Sequence, residues 1–481
     1  MFKSVLTEVL KTFTKQELKE FGLFIQSPFF NTNESVVKLY NQLRKLYPEF
    51  GEKEIDKKLL FEMAFGKINY NDSFMRMTVF RLMELAKQFL IISNLQRNDL
   101  LNGTILLDEL NYRELDNLLT RSISELDKKI KKEKANDSET YFAKYKLEYF
   151  KNDIKSRDTK MITYKDILDK DLILEQKYMN TNFFINSLKF FQYFLNQKNF
   201  VVTTEGYPDF INEILEYLKQ NPEYLKEPEL NLYYKLVLLL ITKDEKYFTE
   251  LCRKLFEDGN DLKINSKHNL VTVIKNYANL KVLEGKKEYF EKAFEILKFS
   301  LEKNIITFSP SAKYMTETRF MNIVWSGIVL KKFEFTEKFI DKYINKVAPE
   351  KRQYVYAYNY AKLEFERGNF STALEKLGDT GPIKNIMYKA AVKHLQLMIY
   401  YELKWFVQAS ELLDSYKKFI KTDKLLPEMY KSQSNTFINY FNRLLNIINN
   451  PVNNSYVLEK LISELKLTNL NWLLKKAMEL T

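Results

Sequence analysis

Few residue types that do chemistry are present in this chain. Its 481 residues include two histidines, His268 and His394, and one cysteine, Cys252. Neither histidine has a cysteine or a second histidine at ligand spacing, so the pattern offers no His/Cys metal site. A Ser-His-Asp or Cys-His relay would have to be assembled from scattered residues with no local motif behind it. Cys252 opens the apolar face of LCRKLF and reads as a small buried hydrophobe. Gly378 and Gly381, in LGDTGPIKN, lack the Lys-Ser/Thr that follows a phosphate-cradling loop, and they read as a turn between two helices. Carboxylate pairs such as Glu364 with Glu366, or Glu213 with Glu216, fall on amphipathic helices, where they form solvated faces. The expectation is a chain that is not an enzyme, with no catalytic residue, no metal and no cofactor.

The elements that would position a site are written most plainly in Tyr354 to Leu377. Ala357, Tyr360, Ala361 and Glu364 recur at helical spacing, and Gly368 can take the positive φ at which a first helix stops. Asn369 is placed to cap the next helix, whose facing stripe is Phe370, Ala373, Leu374 and Leu377. Small Ala373 lets two backbones approach, with Phe370 wedged between them. Such a hairpin cannot bury its own apolar face and needs neighbours. Aromatics just after successive tight turns, Phe248, Phe290, Phe335, Phe370 and Phe406, recur at intervals of 42, 45, 35 and 36 residues. A period of that length with helical spacing on both arms predicts an all-α fold, a helical-hairpin repeat superhelix or α-solenoid.

Composition agrees. Gly at 11 and Pro at 10 disfavour turn-rich β architectures, and 45% apolar residues are enough to bury large cores. The longest aliphatic run, Leu236 to Ile241, is too short to span a membrane. One cysteine excludes an internal disulfide, and Glu8 interrupts what would be the apolar core of a signal peptide, so a cytoplasmic protein is expected. The net charge of +12 comes from 75 basic residues, 63 of them Lys and 12 Arg. That ratio is a weak nucleic-acid signature, since bidentate phosphate and base contacts favour Arg. Residues 301–481 hold 27 basic against 18 acidic side chains, which reads as a mildly basic solvated surface.

Two domains are expected. Residues 1–94 read as a compact helical module: Thr14 with Glu17 forms a capping box, Asn33 caps a second helix, Gly66 ends a third, and Ser73 or Asp72 opens a long one. That long helix is apolar around most of its circumference, which makes it central to the module. Asn94 to Gly103 marks the boundary, and residues 104–481 form the repeat domain. Within it, Leu106 to Lys134 reads as one long helix, and the aromatic-rich stretch Asp171 to Phe200 as a helix sandwiched between neighbours.

The hairpins resemble tetratricopeptide repeats. The family's small, turn-Gly, aromatic, small and Pro positions match Ala361, Gly368, Phe370, Ala373 and Pro382, and the next hairpin carries Phe406, Ala409 and Pro427 with Lys404 at the turn-Gly position. The match is clearest over residues 354–421. The resemblance implies a concave groove lined by the first helix of each repeat, able to hold a protein or peptide. In the best repeat the groove-facing residues are Val355, Tyr358, Asn359, Lys362 and Glu366. Ala391, His394, Leu395, Ile323 and Gly327 depart from the basic set with which the family grips a terminal carboxylate. The expected function is therefore a cytoplasmic scaffold that binds a protein partner of unspecified identity. The alternative is a nucleic-acid-associated factor whose N-terminal module reads DNA, helix-turn-helix fashion, through Ser73, Arg76 and Arg81. No membrane association is expected.

Overall fold

A computed structural model describes the chain except for residues 1–4, 48–55, 135, 158–169, 199–207, 258–261, 306–313, 384, 424, 450–454 and 469. The described residues form 23 α-helices and three short 3-10 turns and contain no strand, only an isolated bridge between Met315 and Val347. None of these helices is long and apolar enough to cross a membrane. The chain divides into two compact units, Met1–Lys189 with Asn212–Leu230, and Phe190–Ile211 with Asn231–Thr481.

The first unit opens with α1 (Val5–Thr12), α2 (Lys15–Gln26), α3 (Glu34–Arg44), α4 (Lys57–Phe65) and α5 (Asp72–Arg97), which share one core built on Leu10, Phe21, Tyr40, Met75 and Leu82. The Thr14/Glu17 capping box closes in both directions, Asn33 caps α3, and Gly66 stops α4 at φ 86°. The long helix starts at Asp72, with Asn71 rather than Ser73 as its cap. It packs on α1, α2 and α3, as a central helix should, yet it is not enclosed: Phe74, Met77, Phe80 and Ile91 remain exposed along one side.

No linker follows it. Asn98 ends α5, and its side chain accepts from Leu101 N to cap α6 (Asp99–Tyr112), so across Asn94 to Gly103 one helix follows the other with a single residue between them. Gly103 sits inside α6, where an added Cβ would meet Leu126 Cδ1 at 2.7 Å. Glycine is here for close packing, not as a hinge. The expected single helix from Leu106 to Lys134 is two, because Glu114 takes φ 57° and separates α6 from α7 (Asp116–Lys132). With α8 (Ser138–Arg157) these bury a second core around Leu107, Leu126 and Phe150.

The aromatic-rich stretch is α9 (Asp171–Lys198); Phe200 lies outside the described residues. It is not sandwiched, since Phe183, Phe190 and Tyr193 are all more than half exposed. After α10 (Ile211–Gln220), α11 (Pro228–Thr242) and α12 (Glu245–Phe256) come four hairpins of the second unit. They are α13 (Ile264–Leu283) with α14 (Glu288–Glu302), α15 (Glu317–Val329) with α16 (Phe333–Tyr343), α17 (Arg352–Arg367) with α18 (Phe370–Gly378), and α19 (Ile386–Glu402) with α20 (Phe406–Thr422). Each pair is antiparallel by its short turn and packs along its length. The chain closes with α21 (Glu428–Asn449), α22 (Ser455–Leu465) and α23 (Asn471–Met478).

The same turn joins all four pairs. A residue in the left-handed region, Gly285, Lys331, Gly368 or Lys404, ends the first helix. Its N–H and that of the next residue bond back into the last turn: Gly368 N to Phe365 O at 3.0 Å with Asn369 N to Glu364 O at 2.9 Å, and Lys404 N to Tyr401 O at 3.0 Å with Trp405 N to Tyr400 O at 2.8 Å. This paired bonding is the Schellman closure, which satisfies carbonyls that would otherwise be left without partners. Asn369 occupies the cap position of α18 but makes no side-chain cap; its amide donates instead to Glu364 Oε2 at 2.7 Å. Beneath the turn, Ala361 and Ala373 are fully buried.

Candidate functional site

The first helices of these four hairpins share one side on which two cavities open. The first, about 460 Å³, lies against α13, α14 and α15; the second, about 580 Å³, lies against α15, α17, α19, α21 and the start of α23. Trp325 is a wall of both and is 52% exposed, so the two cavities adjoin at its indole, and together they are called the trough.

Three of the five residues expected in a groove line the second cavity: Tyr358, Lys362 and Glu366. They stand four residues apart on α17, one narrow stripe of the helix. Lys362 bonds Glu366 at 2.8 Å and lies 5.1 Å from the Phe365 ring, a cation held along the trough wall by its stem. Tyr358 is half-buried and sets its ring edge-on to Tyr388 at 5.3 Å, so it is wall and packing at once.

Val355 and Asn359 are not surface residues. Val355 is 0% and Asn359 1% exposed. The Asn359 amide donates to Val355 O at 2.7 Å and to the Tyr388 hydroxyl at 3.3 Å. The physical reason is that α17 packs on α15, α16, α18 and α19, which leaves only one stripe of it uncovered.

The rest of the second cavity is aromatic. His394 stacks on Phe437 with ring centroids 3.7 Å apart, and burial, with Lys362 close by, pushes its imidazole down to about 3. A histidine so depressed is neutral at physiological pH and serves as a flat polar surface, not as a base. Trp472, on α23, donates to Glu402 Oε1 at 2.8 Å and stacks on Phe441.

The first cavity differs in charge. His268 and Lys275 from α13 and Arg319 from α15 converge on it, with Arg319 Nη2 within 3.4 Å of His268 Nε2. No aspartate or glutamate is among the described residues that line it. Burial and the neighbouring Arg319 and Lys275 charges hold His268 below the usual imidazole range, and burial with Arg319 likewise lowers Lys275. The cluster is absent from the expectations, which consider His268 of the three but neither Lys275 nor Arg319; on α13, however, His268, Thr272, Lys275 and Asn279 recur at spacings of four, three and four, a single helix stripe.

The other residues considered for chemistry sit apart from the trough. Cys252 is half-buried, and burial pushes its thiol up to about 12, so it is not a thiolate at neutral pH. Gly381 takes φ 58° in the turn after α18. Among the described residues no group of three or more His, Cys, Asp or Glu could hold a metal. In the first unit, the proposed DNA-reading residue Arg76 is ion-paired to Asp72, which also binds Lys57 and Tyr70 at 2.6 Å each. The exposed face around it carries Phe74, Met77 and Phe80, a surface unsuited to phosphates.

Comparison of the chain with protein-family models, with curated proteins and with solved structures returned no match.

Proposed function

We propose that this protein is a non-enzymatic scaffold, a tetratricopeptide-like stack of helical hairpins that holds a segment of a partner protein in the trough of its second unit. The observation that carries the reading is the trough itself. First helices of four successive hairpins place polar and aromatic side chains along two adjoining cavities, with half-exposed Trp325 between them. Such a surface is costly to leave in water, and Trp, Tyr and Arg in partly enclosed pockets are the residues from which binding energy is built. Among the described residues no lining hydroxyl is hydrogen-bonded to a histidine ring, and burial pushes the His394 imidazole well below its usual range, which favours holding over reacting.

Photo-crosslinking tests the reading. A photoreactive phenylalanine analogue at position 325, introduced into the full chain in its native cells, is expected to capture one defined protein through one defined segment. The same group at Phe80, exposed in the first unit, is expected to capture that protein much less. Capture at Phe80 but not at 325 would place the partner elsewhere and end the trough reading.

A further inference from the structure

We propose that the protein pairs with a second copy of itself through the outer face of α5, the two helices lying antiparallel about a two-fold axis that passes between Glu84 and Lys87. The inference rests on the first unit alone and is independent of the trough.

α5 carries two stripes. Met75, Leu82, Leu85, Ala86 and Phe89 are buried in the core of the N-terminal helices. On the opposite side, at 3.6 residues per turn, stand Met77, Phe80, Glu84, Lys87 and Ile91, at spacings of three, four, three and four. That is heptad spacing, the pattern of a coiled-coil seam. A helix with one face on a core ordinarily turns charged residues outward. Here Met77, Phe80 and Ile91 are 52%, 60% and 62% exposed along one line, and a helix without glycine or proline keeps them there.

The charges in the stripe choose its occupant. Read from either end, the stripe from Phe80 to Ile91 runs apolar, charged, charged, apolar, with acid and base exchanged. Laid antiparallel on itself, it sets Phe80 against the partner subunit's Ile91 and Glu84 against the partner subunit's Lys87, and the two-fold axis repeats both contacts. Glu84 and Lys87 bond within one chain at 2.6 Å, with side chains 43% and 56% exposed. They therefore reach the seam as a pair and close into a neutral ring of four charges with the partner subunit's pair.

Other arrangements of two copies lose this match. A parallel pair would set Glu84 on Glu84 and Lys87 on Lys87, and sliding the antiparallel pair by one heptad would set a charge against Phe80 or Ile91. One polar layer between apolar layers thus fixes both orientation and register. At each end Met77 meets the partner subunit's Asn94, where the seam runs out to water. The contact covers about 27 Å of helix. So short a seam is expected to dissociate in the range of about 1–100 μM.

The association of the full chain tests the proposal. Sedimentation equilibrium from about 1 to 200 μM should carry the wild-type mass from 57.6 kDa toward twice that value. Phe80→Asp should weaken pairing about tenfold or more, and so should Glu84→Lys or Lys87→Glu, each of which makes the four central charges alike. Each charge variant is expected to stay monomeric alone and to pair when mixed with the other, since every acid then faces a base again. That rescue also shows both variants to be folded. Orientation is read from disulfides. In a Cys252→Ser background, Phe80→Cys and Ile91→Cys chains should cross-link to each other and not among themselves.

A wild-type chain that remains monomeric to about 200 μM would overturn the proposal and leave the seam to a different partner. Pairing that Phe80→Asp and Glu84→Lys leave unchanged would overturn it by putting the contact on another surface. Charge variants that fail to pair when mixed, or Phe80→Cys chains that cross-link among themselves, would overturn the antiparallel register.

Discussion

At the scale of single residues, one stripe separates cavity wall from packing. Tyr358, Lys362 and Glu366 face the cavity, while Val355 and Asn359, one turn or less away, are buried. Tyr358→Ala is expected to lower stability by about 2 kcal/mol, less than the roughly 3–5 kcal/mol of a fully enclosed aromatic, because it is only partly buried and lines the cavity. Denaturant unfolding measures this directly, and a loss above about 4 kcal/mol would make Tyr358 a core residue only. His394 gives a pH signature. Its folded value near 3 lies below the ordinary 6.5, so the unfolded chain binds a proton that the folded chain refuses. Its contribution to stability is complete above pH 6.5 and is lost as pH falls from there toward 3, with a limiting slope of about 1.4 kcal/mol per pH unit. The urea midpoint of the wild type should therefore drop more between pH 7 and pH 5 than that of His394→Gln. Parallel curves would contradict the burial of this imidazole.

At the scale of elements, the turns carry the repeat. Gly368 was legible in the sequence because glycine is the residue that takes φ 87° without strain, and Lys404 was assigned the same place by its position in the next hairpin. Lys331 was not, since nothing about a lysine announces a left-handed backbone. Gly368→Ala should cost about 1–2 kcal/mol from backbone strain alone, because an added Cβ would meet nothing within 4 Å. Lys404→Gly should gain part of that amount, and the difference between the two melting temperatures checks both. Gly327 answers to a different cause. A Cβ there would lie 2.1 Å from Thr336 Oγ1 where α15 crosses α16, so Gly327→Ala should destabilise by about 1–3 kcal/mol and Thr336→Ala should restore much of the loss. Ala373→Leu is expected to overpack by a similar amount, since Ala373, on α18 of the next hairpin, is completely buried.

At the scale of the whole molecule, low glycine and proline content and the helical spacing made the all-α architecture readable, and the hairpin from Tyr354 to Leu377 was readable down to its turn. Two things were not. The break expected at Asn94 to Gly103 is composition without consequence, because Asn98 caps one helix while ending another; the division into units falls within α9 and α11 instead. The trough was half legible. Helical spacing places residues on a face, but which face stays open depends on neighbours that are distant in sequence, so a first helix covered on three sides misdirects a reading from one hairpin. The cationic cavity needed Lys275 and Arg319, 44 positions apart, to be brought together by packing. The measurement that tests the central claim most directly is the affinity of the cross-linked partner for Trp325→Ala beside the wild type, with the melting temperature of each. The trough predicts at least a tenfold loss of affinity with an unchanged melting temperature, because Trp325 is exposed and its removal leaves the core intact. Full affinity in a normally folded Trp325→Ala protein would contradict it.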